Sequence, residues 1–333
     1  MSSPLPPDQP RPFAPRRVLL LGATGTIGRA VARRLLARGH EAVCVLRPGA
    51  AAAGLPEGAL VRHCDIRDAA SLAQHGFRGE RFDAVISCIA SRTGAPEEAW
   101  AIDHGANSKA LGAARAAGVG HFVLLSAICV QKPRLAFQHA KLAFEAELIA
   151  SGMAYSIVRP TAFFKSLSGQ IERVRAGKPF LLFGDGTATA CKPISDDDLA
   201  CFIVECLEDE GRRNRILPIG GPGPAITPRA QGEALFALLG RAPRFRHAPL
   251  WMMDAIVFFM ERAARFMPSL AAKAEFARIG RYYATESMLV LDPATGRYDA
   301  DATPSVGADL LFDHYARVLR GEAQTQRGAH SVF

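Results

Sequence analysis

The segment VLLLGATGTIGRAVARRLLARGH, residues 18–40, constrains this chain more than any other. A short apolar run, Val18 to Leu21, reads as a buried parallel strand. It breaks into a loop with Gly22, Gly25 and Gly28, and a helix comes next with apolar residues at Ile27, Val31, Leu35 and Leu36. A strand that delivers a glycine loop to a helix N-terminus is a seat for the pyrophosphate of a dinucleotide, because the first amides of a helix lack intrahelical partners and point at the anion. In that reading Gly22 makes the tight turn, Gly25 lets the backbone approach the phosphates, and Gly28 lets the helix pack closely on the strand. Thr24, Thr26 and Ile27 complete the cofactor loop. A lone glycine triplet says little, but one set between a strand and a helix near the chain start says much. A glycine-rich turn with no ligand accounts for neither the loop nor the amphipathic helix after it.

The 333 residues suffice for a nucleotide domain and a smaller lobe. The formal charge is +8, yet the arginines are scattered and form no aromatic-interleaved basic stripe, so no nucleic-acid partner is expected. The surplus fits attraction of an anionic cofactor and substrate, and it fits an arginine-rich proteome equally well. The seven cysteines (44, 64, 88, 129, 191, 201 and 206) show no CxxC spacing and sit mostly in apolar runs. They read as reduced, buried thiols of a cytoplasmic protein, not as a disulfide framework or a metal centre. Residues 1–16 are Pro-rich and lack the apolar core of a secretory leader, so a disordered tail is expected there, with a second tail at 326–333. No run reaches the roughly 18 to 20 apolar residues of a membrane-spanning helix. The nearest, PLWMMDAIVFFM at 249–260, has three readings: core, a dimer face, or an interfacial membrane anchor.

Further strands are expected at EAVCVLRPG, at Ala59 to Asp65, at Phe82 to Ala90, at His121 to Ser126 and at Tyr155 to Arg159. Helices are expected from Ser71 onward, over Glu97 to Ala117 and over Leu135 to Ala150. This alternation predicts an α/β fold with a doubly wound parallel sheet over residues 17–165. Beyond about residue 165 it gives way to glycine and proline clusters, read as a smaller C-terminal substrate lobe over 166–325 that leaves room for elements returning to the sheet. The active site is expected in the crevice at the carboxyl ends of the strands.

The Gly22-x-x-Gly25-x-x-Gly28 spacing resembles the extended and atypical short-chain dehydrogenase/reductases, which include sugar epimerases, isoflavone reductases and NmrA-like regulators. An acidic residue closing the second strand would select NAD. Here that strand ends Val45-Leu46-Arg47-Pro48, and Arg47, with Arg29 as a second cation, favours the 2′-phosphate of NADPH. Asp65 after the third strand and Ile89-Ala90 at the end of the fourth are expected beside the cofactor. The resemblance implies Tyr-x-x-x-Lys on the helix after the fifth strand, two residues one turn apart on one face. The matching segment is Phe137-Gln138-His139-Ala140-Lys141, which keeps the lysine and lacks the hydroxyl. Carbonyl chemistry needs a proton relay to oxygen that phenylalanine cannot provide. Delivery of hydride to a conjugated C=C bond does not, since a proton from Lys141 or water suffices. Ser126 at the end of the fifth strand is a second catalytic candidate. Pro160, Thr161 and Phe163 are expected behind the nicotinamide, and Phe137, Phe163, Phe164 and Lys165 in the substrate pocket, with Lys165 meeting a carboxylate. His139 and His247 read as hydrogen-bonded bystanders, and no metal is expected.

The segments SCIASRTGAPEEAWAIDHGAN, LLSAICVQKPRLAFQHAKLAFE, SIVRPTAFFKSLSGQIERVRAGKPFLLFGDG, CKPISDDDLA, LPIGGPGPAITPR and RYYATESMLVLDPATGRYDADATPS carry a closer likeness. Over roughly residues 17–320 the chain resembles the NADPH-dependent divinyl chlorophyllide 8-vinyl reductases of (bacterio)chlorophyll synthesis, the BciA-type enzymes. That resemblance implies reduction of the C8 vinyl group of a divinyl chlorophyllide or protochlorophyllide to ethyl, with NADPH and without flavin or iron–sulfur cluster. It implies a flat, greasy, anionic tetrapyrrole substrate, and a cytoplasmic place with peripheral contact to the photosynthetic membrane through 249–260. Alternatives are an isoflavone-reductase-like ene reductase, an NmrA-like NADP sensor, and a scaffold subunit with a degenerate site. Oligomeric state is left open.

Overall fold

The computed structural model describes residues 14–267 and 270–323. The expected tail at 326–333, and all but the last three residues of the one at 1–16, lie outside the described residues. Seven strands form the central sheet: β1 (Arg17–Leu21), β2 (Glu41–Leu46), β3 (Leu60–His63), β4 (Ala84–Ser87), β5 (His121–Leu125), β6 (Ala154–Pro160) and β7 (Arg215–Ile219). Their order is β3-β2-β1-β4-β5-β6-β7, and every pairing is parallel. The order reverses beside β1, where Val18 pairs with Ala42 on one side and Ala84 on the other. Strands covered on both faces read as continuous apolar runs, which is why RVLLL and EAVCVL show no alternation. Successive side chains still point to opposite faces. Leu20 thus joins the layer under α1 (Thr26–Ala37), while Leu19 joins the layer under Leu111 and Phe144.

The third and fourth strands are shorter than expected: Ala59, Cys64 and Asp65 lie outside the one, and Phe82, Asp83, Cys88, Ile89 and Ala90 outside the other. The helix expected at Glu97 to Ala117 is three continuous pieces: Pro96–Ala99, a π-helical stretch Trp100–Ala106, and Asn107–Ala116. α2 (Ala136–Ala150) agrees with expectation to one residue.

Beyond residue 165 the chain returns to the sheet before the lobe is complete. α3 (Asp196–Glu205) packs on α1, with Arg33 paired to Asp197 at 2.8 Å and Arg38 paired to Glu208 just beyond it. β7 then extends the sheet, with Ser156 opposite Arg215. The sheet is therefore completed from sequence beyond the strand–helix alternation. What remains is a lobe with its own apolar cluster of Phe164, Ile171, Phe180, Phe236 and Tyr315. It carries a parallel pair of strands, Phe180–Phe183 with Phe245–Ala248, and the Tyr315 hydroxyl donates to the Leu167 carbonyl at 2.6 Å.

Two further helices, α4 (Leu250–Phe266) and α5 (Ala271–Thr285), pack on each other. The core reading of 249–260 is overturned: of the α4 residues only Met253 is buried, and Trp251, Phe258 and Phe259 are each more than 60 % exposed. Among the described residues, α5 is the element that packs extensively on α4.

Candidate active site

The glycine loop turns sharply between β1 and α1. Gly22 has φ +78°, and a Cβ there would lie 2.7 Å from the Cys88 carbonyl, so β4 approaches too closely for any side chain. A Cβ at Gly28 would sit 2.1 Å from the Gly22 carbonyl oxygen. The third glycine therefore lets the helix close on its own loop, where the sequence suggests closure on the strand. Thr24 and Gly25 are exposed, Ile27 is buried in the core, and only its amide is left to meet a ligand. These features fit a pyrophosphate: an open loop over the unpaired amides of a helix start.

Arg47 is exposed just past β2, and neither it nor Arg29 has a carboxylate within ion-pair distance among the described residues. The Arg29 guanidinium packs under Gly54, in the loop that Arg47 opens, and its Nε is buried without a hydrogen-bond partner. An uncompensated guanidinium at this edge fits an anion. Asp65 is already engaged: Arg67 donates to both carboxylate oxygens at 3.0 and 2.9 Å, which holds the carboxyl below its ordinary range.

A cavity of about 370 Å³ opens at the carboxyl ends of β4, β5 and β6. It brings together Ile89, Ala90, Ser126, Phe137, Lys141, Pro160, Thr161 and Phe163, contributed by four separate stretches of chain, and its walls are mainly apolar. The cavity leaves out two of the four residues expected in the substrate pocket. Phe164 is buried in the lobe's core against the His314 ring, 5.5 Å between centroids, because it starts a short helix whose inner face meets the C-terminal helix. Lys165, one residue on, turns the other way and donates to Thr26 Oγ1 at 2.9 Å. It tethers the lobe to the glycine loop and does not face the cavity.

Phe137, Lys141 and Glu145 recur every four residues on α2 and so share one face. Lys141 Nζ lies 2.9 Å from Asp103 Oδ1, with the lysine nearly and the aspartate wholly buried. A desolvated ammonium requires such a counter-charge. Asp103 sits in the π-helical stretch and is held to the loop after β4, where the Ser91 amide donates to Asp103 Oδ2 at 3.3 Å; just beyond the stretch, Ser87 Oγ at the end of β4 donates to Asn107 Oδ1 at 2.6 Å. Ser126 lines the cavity, but its hydroxyl donates to buried Glu145, which also pairs with Arg159. Thr161 likewise spends its hydroxyl on the Lys192 carbonyl. His139 is exposed, His247 bonds the Gly184 carbonyl at 2.7 Å, and no metal-ligating cluster occurs among the described residues.

Two cavity residues are not evident from the sequence motifs. Asp103 lies in the segment SCIASRTGAPEEAWAIDHGAN, and its signal is an acid in an otherwise apolar helical run. Tyr283, on α5, aims its hydroxyl at Cys129 Sγ, 3.9 Å away, and burial pushes its pKa well above the ordinary tyrosine value.

Fold and site together define an NAD(P)H-binding protein: the NAD(P)H-binding family profile matches residues 22–210. The chain also overlays on an NADPH-dependent quinone oxidoreductase of Escherichia coli solved with NADPH. That match has a TM-score of 0.67 and 17% identity, over 91% of this chain and 99% of that one, and it shows the fold alone. Within this class, the chain is 50% identical to a chloroplastic divinyl chlorophyllide a 8-vinyl-reductase of Oryza sativa subsp. indica, over 95% of this chain and 82% of the relative. It is 48% identical to the protein of the same name from Arabidopsis thaliana, over 91% and 76%. The chain belongs to the divinyl chlorophyllide a 8-vinyl-reductase family.

Proposed function

We propose that this chain reduces the C8 vinyl group of a divinyl chlorophyllide or protochlorophyllide to ethyl, with NADPH as reductant. The observation that carries the reading is the pair of facing residues on α2: Lys141, held by Asp103, and Phe137, one turn away in an apolar wall. Bound NADPH supplies the hydride. The amides of Thr26, Ile27 and Gly28 hold the pyrophosphate, and Arg29 with Arg47 holds the 2′-phosphate. Lys141 holds the nicotinamide ribose through Nζ, and Asp103 fixes where Nζ points. Phe137 and Phe163 shed water from a flat macrocycle and leave no acid aimed at a carbonyl oxygen. One vinyl carbon takes the hydride and the other takes a proton, from Lys141 or water, so –CH=CH2 becomes –CH2–CH3. Conjugation with the macrocycle spreads the charge in between, and the missing hydroxyl is no handicap. No helix among the described residues is long and apolar enough to cross a membrane, and our reading places the protein in water, in peripheral contact with the photosynthetic membrane.

Purified protein mixed with NADPH and divinyl chlorophyllide a tests this. The expected result is a blue shift of the Soret band and a product heavier by two hydrogens, poorly supported by NADH and lost in Lys141→Ala. Substrate returned unchanged while NADPH still binds would sink the assignment and favour a sensor.

A further inference from the structure

We propose that the outer face of α4 docks this protein on an anionic lipid surface, beside the wall of the cavity. At 100° per residue, Trp251, Met252, Phe258, Phe259 and Phe266 fall on one arc of the helix. Their exposures run from 36% at Met252 to 79% at Phe266. Met253, Val257, Met260 and Ala264 fall on the opposite arc and are the more covered, as expected for the side that meets α5. An aromatic arc of this extent facing outward is rare on a soluble surface unless something covers it.

Charge identifies the cover. Residues 241–281 hold eight arginines and lysines against three carboxylates, a surplus of five in a chain whose whole surplus is eight. The three carboxylates are spent locally: Arg281 pairs with Asp254 at 2.6 Å, and Arg278 approaches Glu261 and Glu275 at 3.5 Å each. Exposed Arg244, Arg246, Arg262, Arg265 and Lys273 have no carboxylate within ion-pair distance among the described residues. Arg262 falls inside the aromatic arc and Arg265 at its edge. Long cationic side chains flanking bulky aromatics are what a helix lying in a lipid interface presents, with rings among the acyl chains and cations at the headgroups. A second copy suits this face poorly, because a two-fold contact would set the same cations against themselves. At seventeen residues α4 is about 25 Å long, and it lies in the interface without crossing it.

The neighbouring α5 supplies Ile279 and Tyr283 to the cavity wall. A docked α4 therefore leaves one helix between lipid and cavity, a short apolar path for a substrate that dissolves in the bilayer. That last step rests on the proposed reaction, whereas the docking does not.

The test needs no substrate. The chain has two tryptophans, so Trp100→Phe leaves Trp251 as the sole reporter. With vesicles of phosphatidylglycerol we expect a blue-shifted emission, quenching by brominated acyl chains, and co-sedimentation that salt weakens; phosphatidylcholine vesicles should do little. Phe258→Ser with Phe259→Ser should lower vesicle partition by about tenfold or more. Arg262→Glu with Arg265→Glu should erase the salt-sensitive part. NADPH binding and far-ultraviolet dichroism, retained in both pairs, would exclude misfolding. Unshifted Trp251 emission with anionic vesicles would overturn the proposal. So would a concentration-dependent dimer in vesicle-free solution that the phenylalanine pair abolishes, since a second copy would then be the cover.

Discussion

In the proposed mechanism Lys141 and Asp103 act as a unit, since each is the other's charge partner in a buried site. Asp103→Asn should therefore lower kcat by about 100-fold, close to the loss in Lys141→Ala, and the double variant should be no worse than the poorer single. Turnover of divinyl chlorophyllide a under saturating NADPH measures this, and a double variant that loses the product of the two factors would show the residues acting independently. Arg29 makes a separate claim. If Arg29 meets the 2′-phosphate as proposed, its removal should raise the KM for NADPH by about tenfold or more while leaving that for NADH nearly unchanged. At this scale the sequence was informative where a motif fixes a residue's place, and poor where direction matters. Lys141 and Phe137 stand on the cavity wall because four-residue spacing on a helix leaves them no choice. Phe164 and Lys165 are adjacent at the start of a short helix and point in opposite directions, and composition says nothing about which goes where.

Among the elements, the helices and strands around β1 were legible because a doubly covered strand and an amphipathic helix leave long apolar runs. The π-helical stretch was not, because a single widened turn changes no residue pattern while it decides where Asp103 points. β5 opens on a buried histidine with a consequence of its own. His121 Nε2 donates to Ser156 Oγ at 3.0 Å, since that oxygen's own proton goes to the Arg212 carbonyl. Its Nδ1 is buried without a partner, and burial pushes the pKa down from 6.5 to about 4. The unfolded chain takes that proton first, so the stabilising contribution is whole above pH 6.5 and is lost as pH falls toward 4. The full loss is about 3 kcal/mol. Asp196 works in the opposite sense, because burial raises its carboxyl to about 6 and the folded state is protonated first. Urea midpoints at pH 7.5 and 5 should thus fall in the wild type and fall less in His121→Asn; equal slopes would remove His121 from the account.

For the whole molecule, a ligand that binds only the folded chain stabilises it by mass action. NADPH at 100 times its Kd should add about 2.7 kcal/mol, a rise in Tm of about 4 °C for a chain of this length, and NADH at the same concentration should add less. Equal shifts for the two would argue against a 2′-phosphate site at Arg29 and Arg47. The loss of alternation near residue 165 marks the start of the lobe but does not say which later elements rejoin the sheet, and α3 and β7 do so after the chain has already begun the lobe. That return sets an order of assembly. During synthesis β6 is an unpaired edge, and the α1 side of the sheet lacks α3, until residue 219 has left the ribosome. A fragment ended at 165 would keep the glycine loop and expose the apolar face beneath α3, so the nucleotide half has no independent life as a module. The nascent chain carries an open strand edge for the time it takes to make some fifty more residues, and over that interval it is a natural client for a chaperone.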